Sequence, residues 1–320
     1  MAHEIEGNRA FYVKDAAWHN IGEVLDSPPE TLQEAANLIH PEMLLELDVE
    51  AFAMLDGQKH TFAVPDKKSI FRADKENTYI STVGKDHPVL QASEVFDFFE
   101  PFVEHLDIEA GMVLRGGTQI CALAKLKDNE IIKGDWVRSY LMFLTSYDNS
   151  TAQVTKFTGT RVVCANTLAI AMGEENRVGT WSNRHTKNLR NKVANVQSVI
   201  ADSLKIADEN AQAYQYLARK KVTRNQLETY IADVFMPEKE IEEVSTKLKN
   251  KLEDVIELLD TQVGLDVLPE IAGTAWQGYN AVTQYLTHEQ GRNFETRLQS
   301  NIFGDALRLN TRALEYAMAM

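Results

Sequence analysis

Cys164 stands three residues after Arg161 and two before Asn166, inside the stretch Phe157 to Met172, where a β-branched run meets an apolar one. Junctions of that kind can hold a nucleophile, a phosphate cradle or a simple change of secondary structure. A Cys164 nucleophile would need a base such as His185 and a depressed thiol pKa, which a helix N-terminus could help supply. The run Val162-Val163-Cys164 is apolar, and that environment favours an inert buried thiol, so no catalytic residue is assigned and catalysis is not the expected role. The alternative is structural: Asn166 or Thr167 caps a helix starting near residue 166, and Arg161 pairs with a carboxylate such as Asp148.

Other chemistries lack their residues. The eight histidines are scattered singly, and the two cysteines, Cys121 and Cys164, form no Cys-x-x-Cys pair, so no metal site is expected. Neither Gly-x-x-x-x-Gly-Lys-Ser/Thr nor Gly-x-Gly-x-x-Gly occurs, and Arg115-Gly116-Gly117 reads as a turn, so no cofactor is expected.

Charge is unevenly distributed along the 320 residues, whose net is −14. Residues 1 to 150 hold 13 basic against 26 acidic residues, a net of −13, whereas residues 151 to 224 hold 12 against 5, a net of +7. Residues 225 to 320 return to −8, with 8 against 16. Phosphate binding depends on Lys and Arg, so the middle window is where an anion would be read. Its candidates are Lys156, Arg161, Asn166, Arg184, His185, Lys187, Arg190 and Lys192, with Arg115 from upstream and Tyr147, Phe157 and Trp181 as stacking aromatics. An exposed face of solvated charges explains the same window without a ligand.

The elements that must position these residues divide into a strand-rich front and a helical back. Residues 49–54 and 60–64 flank Asp56-Gly57 as a hairpin, and a strand is expected over 79–83. The spacing of Val95, Phe96, Phe99, Phe102 and Val103 predicts a helix over 93–106 with Ser93 as its cap. Residues 108–114 and 118–126 flank Arg115-Gly116-Gly117, and residues 139–147 and 151–157 flank Asp148-Asn149-Ser150, giving two more hairpins. This order implies an α+β fold, an antiparallel β-sheet with packed helices followed by a mainly helical C-terminal part. Apolar residues from Leu189 to Leu217 recur at steps of three and four, which predicts one helix of that length. Further helices are expected over 224–235, 237–259, 275–286 and 301–318. A division into a sheet domain, 1–180, and a helical region, 181–320, follows. The stripe along 186–217 could pack on its own sheet or carry a homo-oligomer.

No apolar run approaches the ~20 residues that cross a bilayer, and the N-terminus lacks the regions of a signal peptide, so a cytoplasmic protein with no membrane partner is expected.

Several short motifs occur in a fixed order. They are Ala17-Trp18-His19-Asn20-Ile21-Gly22, His87-Pro88-Val89-Leu90-Gln91, Arg115-Gly116-Gly117, Ser146-Tyr147-Asp148-Asn149-Ser150, Arg161-Val162-Val163-Cys164-Ala165-Asn166-Thr167-Leu168 and Arg184-His185-Thr186. On these residues the chain resembles a phage/plasmid-like protein family that shares a domain of unknown function and occurs in bacteriophages, prophages and conjugative plasmids. The family tends to have Trp-His-Gly and His-Asp-Gly-Ser where this chain has Trp18-His19-Asn20 and Tyr147-Asp148-Asn149-Ser150. The resemblance implies a mobile-element protein of the host cytoplasm. Two functions follow as expectations: nucleic-acid binding, with single-stranded DNA in replication or recombination as the first case, or an acidic interaction protein that modulates a host enzyme or defence factor.

Overall fold

The structure is a computed structural model. It describes residues 5–14, 22–39, 44–73, 78–100, 102–103, 105–148, 150, 153–161, 166–168, 180–183, 196–236, 245–291, 296–297, 300–301 and 304–320. Strands β1 (Ile5–Val13), β2 (Glu23–Leu25), β6 (Ile108–Leu114), β7 (Gln119–Ile132), β8 (Asp135–Ser146), β9 (Gln153–Arg161) and β10 (Asn166–Leu168) form one sheet in the order β10-β9-β8-β7-β6-β1-β2. β11 (Thr180–Asn183) also pairs with β9. All of these ladders are antiparallel except β1 with β2. A second sheet holds β3 (Leu44–Leu55), β4 (Gln58–Arg72) and β5 (Thr78–Gly84) in that order. The α+β architecture expected from the chain order is therefore present, with strands in front and helices behind.

The hairpins form where the turn residues allow them. Asp56 and Gly57 have φ of 50° and 78°, the left-handed pair that a two-residue loop between twisted strands requires. Between β6 and β7, Arg115, Gly116 and Gly117 all have positive φ, and the Arg115 carbonyl accepts from the Thr118 amide at 3.1 Å and its hydroxyl at 2.9 Å. Gly117 leaves room for Arg72, which is fully buried and donates Nη1 to the Gly116 carbonyl at 3.1 Å. The small sheet is anchored to the large one there.

Helix α1 (Leu32–Ile39) and helix α2 (Ala92–Phe96), which runs into a 3₁₀ turn over Asp97–Phe99, cover one face of the large sheet. Ala35, Ala36 and Ile39 meet Val95, Phe96, Phe99, Phe102, Val113, Ile120, Ala122, Leu141 and Phe143 in a single core. The cap of α2 is Gln91 and not Ser93: the Gln91 amide N–H donates to the Glu94 carboxylate at 2.9 Å. The Gln91 side chain meanwhile bonds the amide of Leu44 at 2.8 Å and its carbonyl at 3.1 Å, completing the first residue of β3 as a strand would.

Two expectations need correction. The segment after residue 165 does not begin a helix, because Asn166–Leu168 pairs with Gly159–Arg161 as the short strand β10. A free strand edge supplies hydrogen-bond partners for three residues, which a local propensity reading cannot anticipate. The helix expected over 93–106 breaks after Phe99 into turns, although Phe102 is still buried.

Helix α3 (Val196–Arg219) spends its apolar stripe inside its own chain. Ile200 joins the sheet core, Ile206 and Ala207 meet Phe157, and Ala211, Tyr214, Leu217 and Ala218 join the helical core. Leu189 and Val193, the start of the expected helix, lie outside the described residues. The helical core is completed by α4 (Arg224–Phe235), α5 (Thr246–Thr261), α6 (Ala275–Gln284) and α7 (Asp305–Ala319). Thr223 and Ser245 cap α4 and α5, accepting from Gln226 and Leu248. Ile131 and Val137, from the far end of the β7–β8 hairpin, belong to this helical core. Among the described residues no helix is long and apolar enough to cross a membrane.

Candidate functional site

The opposite face of the large sheet carries the candidate site, and strand alternation places it. On β8, Leu144, Met142, Tyr140 and Arg138 are two residues apart, so they share a face. The ladders align Leu144 with Cys121 and Val154, Met142 with Leu123 and Lys156, and Tyr140 with Lys125 and Thr158. One end of this face is apolar and buried, holding Met112, Leu114, Cys121, Met142 and Leu144. Burial pushes the Cys121 thiol up to about 12, so it is an inert core group.

The other end is polar. Lys125 Nζ lies 3.3 Å from Glu109 and 2.9 Å from Asp128, Arg138 Nε lies 3.9 Å from Asp128, and the Tyr140 phenol donates to Glu109 at 3.2 Å. Glu109 and Arg138 are only 13% and 24% exposed, so water does not screen this network freely. Burial by itself depresses Lys125, but the hydrogen bond to Asp128 and the charges of Glu109 and Asp128 outweigh it and hold the ammonium above its ordinary value. Burial, then the Glu109 charge, raises the Tyr140 phenol, which stays protonated as a donor. Two carboxylates balance the two cations.

Lys156 stands at the border of the two ends. It is half-buried, faces the side of Met142, and desolvation pushes its ammonium down to about 8. Around it the outer edge of β9 is filled in two pieces: β11 pairs with Gln153–Lys156, and β10 pairs with Gly159–Arg161. Thr180 is opposite Lys156, Trp181 opposite Thr155, and Asn166 opposite Arg161. The described chain leaves β11 at Asn183, one residue before the basic run begins.

The sequence candidates thus fall into three groups. Lys156, Arg161 and Asn166 gather on β9 and its margin, with Arg161 and Asn166 as register partners. Arg115 is remote. It sits beyond the Gln119–Ser146 row, nine strand residues along β8 from the Val137–Arg161 row, a separation of roughly 30 Å. There it donates Nη1 to Ser150 Oγ at 3.0 Å, while Ser150 donates its amide to Asp148 at 3.0 Å. The Arg115-Gly116-Gly117 turn and the Tyr147 to Ser150 loop are therefore neighbours. Arg184, His185, Lys187, Arg190 and Lys192 lie outside the described residues, as does Cys164.

Glu109, Lys125, Asp128, Arg138 and Tyr140 escaped the sequence reading. Their signal was the alternation Arg138, Tyr140, Met142, which meets Lys125 only in the β7–β8 pairing, a pairing the sequence analysis did not make. Among the described residues no cluster of His, Cys, Asp and Glu could hold a metal ion. A separate open groove of about 510 Å³ lies between α4 and α7, lined by Gln226, Thr229, Tyr230, Asp233, Tyr316 and Met320.

No curated protein and no solved structure matches this chain. A family model described as a domain of unknown function (DUF932) matches residues 79–314, from β5 into α7, and so takes in the whole candidate site and most of the helical core. The Ala17 to Gly22 motif precedes that match. With well over half of its length matched, the chain belongs to the DUF932 family.

Proposed function

We propose that this protein binds single-stranded nucleic acid along the β9 margin of the large sheet, as a phage- or plasmid-type protein acting in replication or recombination. The observation that carries the reading is the position of Lys156: a half-buried lysine on β9, paired in register with Thr180 of a strand that runs in sequence into the basic run 184–192. A desolvated ammonium gains most from an arriving phosphate, because the anion restores the stabilisation that burial removed. The acidic remainder of the chain weakens duplex binding, in which many phosphates must be approached at once.

Fluorescence anisotropy of labelled single-stranded and duplex oligonucleotides across a salt series tests the proposal. Salt-sensitive binding that prefers the single strand, and that weakens when Arg184, Lys187, Arg190 and Lys192 are neutralised, is expected. Absence of binding at low salt refutes it. In that case the net of −13 over residues 1 to 150 makes an acidic interaction surface, directed at a basic site of a host protein, the reading to pursue.

A further inference from the structure

The β3–β4 hairpin extends beyond its sheet as an unsupported arm. β5 pairs with β4 only over Lys67–Arg72, so Glu50–Leu55 and Gln58–Ala63 pair with each other alone. Among the described residues no strand lies on either outer edge of that ribbon. Isolated two-stranded ribbons are marginal in water. This one also exposes large apolar groups on both faces: Phe52 (67%), Met54 (61%), Leu55 (49%) and Phe62 (51%).

Natural sheets blunt free edges with charge. The proximal half of β3 follows that rule, with Glu46, Asp48 and Glu50, and its first residue is closed off by the Gln91 side chain. The distal half does not, since Ala51-Phe52-Ala53-Met54-Leu55 holds no charge at all. Neighbouring charges are already used: Lys68 pairs with Glu46, Lys85 lies 4.0 Å from Asp48, and Lys59 sits over the Phe52 ring at 4.9 Å.

We infer that the arm joins this chain to a second copy of itself, edge to edge through Ala51–Leu55. The inference is independent of nucleic-acid binding. A basic partner would find almost no acid on the distal ribbon, and a nucleic acid or anionic membrane would find one lysine. An identical strand fits. Antiparallel pairing about a two-fold axis at Ala53 sets Ala53 against its own copy, Phe52 against Met54 and Ala51 against Leu55, so no charge lies within the paired stretch and the surface is self-complementary, as an isologous interface requires. Across that edge Phe52 and Met54 of the two copies would stand side by side on one face and Leu55 beside Ala51 on the other, adding apolar contact to the backbone pairing. The described part of the α3 stripe is buried in its own chain and so is not the surface that meets a partner copy.

Sedimentation velocity of the full chain over a concentration series, beside Phe52→Asp/Met54→Asp, tests it. A dimer is expected for the parent, with its dissociation constant raised about tenfold or more in the double variant while circular dichroism is unchanged. Should the double variant fail to fold, Ala53→Cys on a Cys164→Ser background decides: mild oxidation should give a covalent dimer through residue 53. A parent that stays monomeric, a folded double variant with undiminished dimerisation, or the absence of that covalent dimer overturns the inference.

Discussion

Trp276 donates its indole Nε1 to the Asp135 carboxylate at 2.9 Å, and both residues are fully buried. Asp135 opens β8 and Trp276 lies in the first turn of α6, so one bond joins the far end of the sheet to the centre of the helical core. Tyr214 and Tyr279 pack around the same indole, with ring centroids 5.1 and 5.8 Å away. Trp276→Phe keeps an aromatic ring but removes the donor. The expected loss is about 2 kcal/mol in urea unfolding, the range for a hydrogen bond to a charged group. A change of a few tenths would mean that Asp135 is satisfied without the indole.

Two adjacent glycines should respond differently to the same methyl group. Gly116 has φ of 61° and open space where a Cβ would sit, so Gly116→Ala should cost about 1 to 2 kcal/mol from the left-handed backbone alone. At Gly117 the Cβ would lie 2.5 Å from Arg72 Nη1, with φ of 95°. Gly117→Ala must also displace a buried guanidinium, and it should be clearly the more destabilising of the two in parallel urea titrations. Equal effects would show that Arg72 moves aside freely.

Lys156 makes stability depend on alkaline pH in a definite direction. Its folded value, about 8, lies below the ordinary 10.5, so between those values the unfolded chain binds the extra proton. Stability from this group therefore rises with pH across that window, and its penalty is fully present below pH 8. Lys156→Met should be more stable than the parent at neutral pH, and the difference should shrink as pH approaches 10. A difference that is constant with pH would show that the ammonium is well solvated.

The Cys121 thiol, held up to about 12 by burial, should not react with a disulfide reagent at pH 8 in the native state. On a Cys164→Ser background one thiol should appear only on adding urea. Rapid native labelling would place Cys121 at a surface.

Much of the framework was legible because it is encoded locally. Asp56-Gly57 between alternating runs, the glycines after Arg115, and the helix over Arg224–Phe235 each need only a few neighbouring residues, and the structure contains those elements. The apolar spacing from Ile200 to Leu217 likewise announced a helix, because period and partner face are set by the backbone alone. The sequence by itself also determined where charge accumulates and that the chain has enough apolar residues for a core.

What it could not determine depends on which distant strand lies alongside. Asn166 belongs to a strand because the β9 edge is free to pair with it, and a three-residue segment follows its partner before its own propensity. Gln91 is a cap and a surrogate strand because Leu44, 47 residues earlier, arrives beside it. The network of Glu109, Lys125, Asp128, Arg138 and Tyr140 exists only in the observed registers of β6, β7 and β8, since a slip of one residue would turn each polar group to the opposite face. Pairing register is a sum of long-range contacts that no local window contains, so tertiary structure alone decided which of these side chains share a face with Lys156.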